Sequence, residues 1–361
     1  MSCAILLVDN FDVLAGFATA VFVNVINQMI YARRFNLVPW VSFQRDGVIG
    51  PVYGNTSLIS RYNLSIYHVH SSLLQGPVKG NDSYIDVRND GIWEHYFEPT
   101  FHVQTHRPSK CSRTLTLVKN DLWVQAHTKA SWVVRSWKYK IGDVDKKFGS
   151  GSDDAYDENW YFENRLKAHS IVSNYFRPKA EVLRHTTNLI SSIREHVGSN
   201  NFAVLGIHLR GSDKGNLRRI IPFEEYVPYI TAFMSALSDK KGVIFLATDD
   251  SNYQKIALNS TFASSIFYFP TVLMSDSRQS TFQKYVAKRH KVNMDVLNDI
   301  IMLSHCNFLL HGHSAVSEAA IYMNLRLHSR SVNLEFKGMS QRQHTPDTFR
   351  SLVEDWKNQH Y

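Results

Sequence analysis

Between residues 202 and 209 the chain reads Phe-Ala-Val-Leu-Gly-Ile-His-Leu, an apolar run that stops at Arg210 and gives way to Gly211-Ser212-Asp213-Lys214. A short apolar run bounded by turn residues has the pattern of a strand buried on both faces, which occurs in parallel sheets covered by helices. The pattern returns downstream. Val243–Ala247 ends in Thr248-Asp249-Asp250, another strand is expected over Ser265–Phe269, and Asn307–Leu310 leads into His311-Gly312-His313-Ser314. Helical stretches separate these runs. One begins near Pro222 with Tyr226, Ile230, Phe233 and Leu237 on one stripe, one follows Asp250, and others cover about Met294–Cys306 and Ala315–Met323. Strands alternating with helices make a parallel sheet with right-handed crossovers, so the fold class is α/β.

The amino-terminal half opens in the same way. Ala4–Val8 reads as a strand stopped by Asp9-Asn10, and a loop carrying Gly16 follows. A helix then runs to about Arg34 with Phe22, Ile26, Met29 and Ile30 on one stripe, and Leu37–Phe43 reads as the next strand. This is a Rossmann-like start. Residues 44–115 are rich in Gly, Asn, Ser and Pro with short strands, and Trp93-Glu94-His95-Tyr96-Phe97-Glu98 stands out among them. Aromatic faces beside carboxylates suit a sugar, which makes Trp93, Glu94 and Glu98 candidates on an acceptor side; the same cluster also suits a core plug. Strand-like material over 116–141 is followed by a polar stretch, 142–158, in which Asp143-Val144-Asp145 imitates a metal motif but sits beside Lys146-Lys147 and reads as a solvated loop. Trp160–Val197 reads as helical, broken near Pro178 and ended by Gly198. We place the domains at 1–198 and 199–361, and expect the last helix, about Thr348–Asn358, to pack back across the first domain.

The chemistry concentrates at strand ends. In a parallel sheet, the residues after the strands at 202, 243 and 307 share one edge, where open α/β sheets bind ligands. Arg210 offers a planar fork matched to phosphate oxygens, Lys214 adds a point charge, and Asp213 is placed to orient the arginine or accept from a sugar hydroxyl. The same spacing also serves a plain salt bridge among Arg210, Asp213 and Lys214. With Asp249 and Asp250 on one neighbour and a helix start at Ser314 on the other, the edge has the parts of a nucleoside diphosphate site: cations and helix dipole for phosphates, carboxylates for ribose or base.

The residues in that order resemble a known family. His208-Leu209-Arg210-Gly211-Ser212-Asp213-Lys214 is similar to the His-x-Arg-x-x-Asp-Lys motif of the α1,6-fucosyltransferases and the nodulation fucosyltransferases. Pro222-Phe223-Glu224-Glu225-Tyr226, Leu246-Ala247-Thr248-Asp249-Asp250 and Asp299-Ile300-Ile301-Met302-Leu303-Ser304 resemble the motifs that follow it there, and Ser314 falls at that family's donor-binding serine. The likeness covers about residues 202–325. It implies a GT-B-like fold, two Rossmann-like domains facing across a cleft, and an inverting, metal-independent transfer of fucose from GDP-fucose to a glycan hydroxyl. It assigns Arg210 and Asp213 to catalysis and His208, Arg210, Lys214, Tyr226, Asp249, Asp250, Asp299 and Ser314 to the donor, with no metal or other cofactor. Two departures stand out. Gly215–Arg219 holds no carboxylate where the family has a proposed base, and Ala315 replaces a glutamine. Another nucleotide-sugar, or a catalytically silent glycan-binding relative, therefore remains as an alternative.

Composition narrows the field. A net charge of +8 suits a polyanionic ligand. The basic residues are spread out, with the densest group at Lys284–Lys291, which disfavours the basic stripe of a nucleic-acid binder. Three cysteines make no disulfide framework, and 17 histidines show no metal-ligand spacing. P-loop and Gly-x-Gly-x-x-Gly fingerprints are missing. Val13–Ile26 is too short to span a bilayer and contains Asn24, so a soluble protein is expected, cytoplasmic or a lumenal domain without its anchor.

Overall fold

The structure is a computed structural model and describes residues 3–8, 16–41, 93, 96–98, 111–116, 134, 156–212, 214, 219–237, 241–270, 272–275, 281–285, 288–336 and 339–360. Two all-parallel sheets organise them. The first has β1 (Cys3–Val8) between β2 (Val38–Val41) and β3 (Cys111–Thr116). After β1 the turn Phe17–Thr19, the π-helical stretch Ala20–Val25 and the helix Ile26–Arg34 run on as one element, α1. Of its expected apolar stripe, Phe22, Ile26 and Met29 are buried and Ile30 is partly buried against the same cluster.

Two long helices follow. Helix α2 (Glu158–Tyr175) is capped by Asp157, whose side chain accepts from the Trp160 amide at 3.0 Å. Pro178 separates it from α3 (Ala180–Val197). Gly198 ends α3 with φ of 67°, and its amide closes on the Arg194 carbonyl at 2.9 Å. The left-handed conformation costs a glycine little, which is why the helix stops there.

The second sheet carries the site. Its strands are β4 (Phe202–Leu209), β5 (Lys241–Thr248), β6 (Ile266–Phe267), β7 (Phe308–His311) and β8 (Ser331–Asn333), in the order β6-β5-β4-β7-β8. Successive strands step one way from β4 and then the other way from β7. The order reverses between β4 and β7, and that reversal leaves a crevice beyond their carboxyl ends. Helices α4 (Val227–Ala236), α5 (Ser251–Leu258), α6 (Arg289–His305), α7 (Ala315–Met323) and α8 (Pro346–His360) accompany these strands. Beneath one face, Ile193 and Val197 of α3 pack with Val204, Phe245 and Leu303.

The two sheets are joined through their helices. Leu297, Ile300 and Ile301 of α6 and Ala319 and Tyr322 of α7 share one apolar cluster with Phe17, Phe22 and Ile26 of α1. The terminal helix differs from expectation. Phe349, Val353 and Trp356 of α8 bury on the second sheet's own flank, with the Phe349 and Trp356 rings each 5.6 Å from Phe308. Their 4- and 3-residue spacing gives one stripe, and the nearest uncovered apolar surface is α4, not the first sheet. Strand β8 went unread because it is short and its ends are polar; pairing with β7 makes it a strand. Among the described residues no helix is long and apolar enough to cross a membrane.

Candidate functional site

At the end of β4 the chain turns sharply. Arg210 and Gly211 leave the sheet, and Ser212 adopts a positive φ of 38°. Asp249, at the end of the neighbouring β5, organises the turn. Its carboxylate accepts from the Arg210 guanidinium, from the Gly211 amide at 2.9 Å and from the Ser212 hydroxyl. Burial alone would push this carboxyl up. Arg210, Ser212 and the Gly211 amide outweigh burial and hold it below the ordinary range. The Arg210 side chain is 27% exposed.

Asp250 does a different job. One carboxylate oxygen caps α5, accepting from Asn252 N at 2.8 Å and Tyr253 N at 3.4 Å, while the other accepts from Ser212 N at 3.2 Å. Its side chain pins the β4 turn to the start of α5. The contact is so close that a Cβ on Gly211 would lie 2.5 Å from the Asp250 Cβ. Only glycine fits at that position.

The β7 turn faces the β4 turn across the crevice. Ser314 caps α7, its hydroxyl accepting from Val316 N at 3.2 Å, so the positive end of that helix points at the crevice. His208 lies inside, 4% exposed, with Nδ1 2.7 Å from the Ser317 hydroxyl of α7. Burial, with Arg210 and Lys214 nearby, lowers its imidazole to about 3, so it is neutral at pH 7. Tyr226 is also interior and donates to the His208 carbonyl at 3.3 Å. His208 and Tyr226 therefore hold β4 in place from within.

Lys214 binds a carboxylate. Its ammonium lies 2.6 Å from Glu335, a residue just past β8 that sequence reasoning did not single out. The same Glu335 oxygen accepts the His313 amide at 2.7 Å. An isolated glutamate between Leu334 and Phe336 carries no motif, and only the β7–β8 pairing brings it to the crevice. Arg210 and Lys214 of this loop are thus each in a salt bridge, to Asp249 and Glu335; Asp213, the carboxylate anticipated between them, lies outside the described residues.

Asp299 lies on α6 and is 9% exposed. Among the described residues no hydrogen bond reaches its carboxyl. Burial raises it well above the ordinary range, and the nearby Asp295 and Asp249 charges push the same way. Among the described residues no group of three His, Cys, Asp or Glu side chains is arranged to hold a metal ion.

The acceptor-side residues fare differently. Trp93 is 1% exposed, stacked on Phe97 at 4.4 Å and edge-on to Phe176 at 5.0 Å. Protein covers its ring, so it fills the core beside α1 rather than offering a face to a sugar. Glu98 is half-buried, and its backbone amide donates to Arg177 O at 2.7 Å. Asp213, Glu94, Gly215–Arg218 and the Asp143–Asp145 pair lie outside the described residues.

Behind α7 sits a buried ion pair that was not foreseen. Arg165 of α2 binds Glu318 of α7 through both carboxylate oxygens, at 2.9 and 2.7 Å, and lies 3.0 Å from His328 Nδ1. The side chains of the pair are each 2% exposed. The pair fixes α7, and so its amino terminus, relative to α2.

Neither a family model nor a curated protein matches the sequence. Among solved structures, the chain is similar to the α1,6-fucosyltransferase NodZ co-crystallized with GDP, with 10% identity and a TM-score of 0.42 over 92% of this chain and 95% of that one. It is similar to fucosyltransferase NodZ from Bradyrhizobium, with 11% identity and a TM-score of 0.43 over 93% and 96%. A variant of Arabidopsis thaliana FUT1 in complex with GDP shares 10% identity with a TM-score of 0.38, over 90% of this chain and 69% of that one.

Proposed function

We propose that this chain is a glycosyltransferase that moves a sugar from a nucleoside diphosphate sugar to a glycan hydroxyl. Its donor is GDP-fucose, as the motif likeness implies, and the anomeric configuration inverts. The observation that carries the reading is the pairing of Arg210 with Asp249 at the order reversal between β4 and β7, opposite the capped start of α7. In such a transfer the anomeric carbon gathers positive charge while the diphosphate departs with negative charge. Arg210, held from behind by Asp249, is a preorganised donor for the departing phosphate, and the α7 dipole adds to it. No metal step is needed in this scheme. Asp299 is available to a polar group of the nucleotide. His208, Tyr226 and Asp250 support the site without touching the donor.

A catalytically silent, donor- or glycan-binding relative is the second reading. The absence of a carboxylate from Gly215–Arg219 favours it. A thermal-shift screen with GDP, UDP and ADP and their sugars, with and without EDTA, tests the binding half. We expect stabilisation by GDP and GDP-fucose that survives EDTA. Stabilisation by UDP alone would reassign the donor, and no response to any nucleotide would remove the proposal. Release of GDP from GDP-fucose, in the presence of a glycan mixture, separates the enzyme from the silent relative.

A further inference from the structure

The crevice is bounded by two loops that belong to different strands, and one carboxylate ties them together. A single Glu335 oxygen lies 2.6 Å from Lys214 Nζ of the β4 loop and 2.7 Å from the His313 amide of the β7 loop. The His313 ring nitrogen Nδ1 is 3.3 Å from the same oxygen, and Lys214 also reaches the His313 carbonyl at 3.4 Å. Glu335 is itself held by its backbone amide, which donates to Asn333 Oδ1 at 3.0 Å. The packing is tight: a Cβ on Gly312 would lie 2.7 Å from Ile221 Cδ1, 2.9 Å from Lys214 Nζ and 3.0 Å from Glu335 Oε2. His313 extends the link to the first half of the chain, with Nε2 3.4 Å from the Tyr161 hydroxyl of α2.

We propose that Glu335 is a positioning residue which staples the β4 and β7 loops through Lys214 and His313, so that Lys214 sets the width of the crevice and Arg210 with the α7 start receives the diphosphate. The proposal rests on the reading of this crevice as a diphosphate site. The geometry favours it over a phosphate-binding Lys214. The Lys214 side chain is 6% exposed and its ammonium already faces a carboxylate, whereas the Arg210 side chain is 27% exposed. Taking Lys214 from Glu335 to a phosphate would remove the lysine cation that lies 2.6 Å from a buried carboxylate, which is disfavoured.

The two roles for Lys214 predict opposite signs. A phosphate-binding lysine is freed when its carboxylate partner is neutralised, so Glu335→Gln would tighten GDP and inorganic pyrophosphate. A staple loosens, so Glu335→Gln weakens both. We would measure dissociation constants for GDP and pyrophosphate by calorimetry, and melting temperatures, for wild type, Glu335→Gln, Lys214→Met and the double variant. The staple predicts that each single variant weakens GDP by about tenfold or more and lowers the melting temperature. It also predicts that the double variant is no worse than the poorer single, because the two changes break one link. Gly312→Ala, which wedges the same link while leaving both charges, should also weaken GDP and keeps the test alive if Glu335→Gln does not fold. Tighter GDP in Glu335→Gln would overturn the staple, as would a lower melting temperature with GDP affinity unchanged. Additive effects in the double variant would also overturn it. If wild type binds neither GDP nor pyrophosphate, the diphosphate reading fails, and the melting temperatures alone still decide whether Lys214 and Glu335 act as one unit.

Discussion

Gly211→Ala is the sharpest probe of how the β4 turn is built. The added Cβ would meet Asp250 Cβ at 2.5 Å, Oδ2 at 2.6 Å and Cγ at 2.9 Å. The nearest of these is bonded directly to the backbone of the α5 cap and cannot swing aside, so either the turn or the start of α5 must move by about 1 Å to restore ordinary contact. If α5 yields, the Asn252 and Tyr253 amides lose their cap; if the turn yields, the Gly211 amide leaves Asp249. Overpacking costs about 1–3 kcal/mol and a lost cap about 1 kcal/mol, so about 2–4 kcal/mol is expected. With about 2.1 cal/mol/K of unfolding entropy per residue, a unit of this size loses roughly 1.3 °C per kcal/mol, or about 3–5 °C in all. GDP binding should weaken as well, because a displacement of about 1 Å in the turn carries Arg210 with it. Gly198→Ala is the control. It has a φ of 67° but nothing within 4 Å of the new Cβ, so it should cost about 1 kcal/mol through backbone strain and leave GDP binding unchanged. A Gly211→Ala protein with wild-type melting temperature and GDP affinity would refute the close approach of Gly211 to Asp250.

Other outcomes follow from the same geometry. Arg210→Lys keeps the charge beside Asp249 but loses the planar fork; turnover should fall by about two to three powers of ten with little change in melting temperature, and an active but destabilised variant would reduce Arg210 to a salt-bridge residue. Arg165→Met strands the Glu318 carboxylate between α2 and α7, costing about 3–5 kcal/mol in chemical denaturation, while Arg165→Met with Glu318→Leu should recover most of that; equal losses in both would show that the pair is not coupled. His208 and His311 are held below their ordinary range chiefly by burial. The unfolded chain therefore binds protons that the folded chain refuses, so their contribution is complete above about pH 6.5 and is lost as the pH falls below it. Each contributes a slope of at most about 1.4 kcal/mol per pH unit. His208→Gln should flatten the fall in stability between pH 6.5 and 4.5, and an unchanged slope would mean that His208 is not buried neutral.

The alternation of apolar runs with helical stripes determined the α/β class, because burial on both faces needs an unbroken apolar strand and helices need a 3.6-residue stripe. Strand β4, the start of α7 at Ala315 and the Gly198 stop were all legible for this local reason. So was the gathering of the Arg210, Asp249 and Ser314 segments on one edge, since strand direction follows from the order of elements. Partner choice was not legible. Lys214 pairs with Glu335, Arg165 with Glu318, and Asp250 accepts from the Ser212 amide of another strand's turn, each joining segments that sequence spacing alone does not place together. Trp93 could suit a sugar or the core, and Phe97 and Phe176 packed against its ring decide for the core. The stripe on α8 said that the helix must bury, but not where. Periodicity records which face of an element avoids water; what covers that face, and which carboxylate meets which cation, depends on contacts between segments far apart in the chain, and these exist only once the sheets have formed.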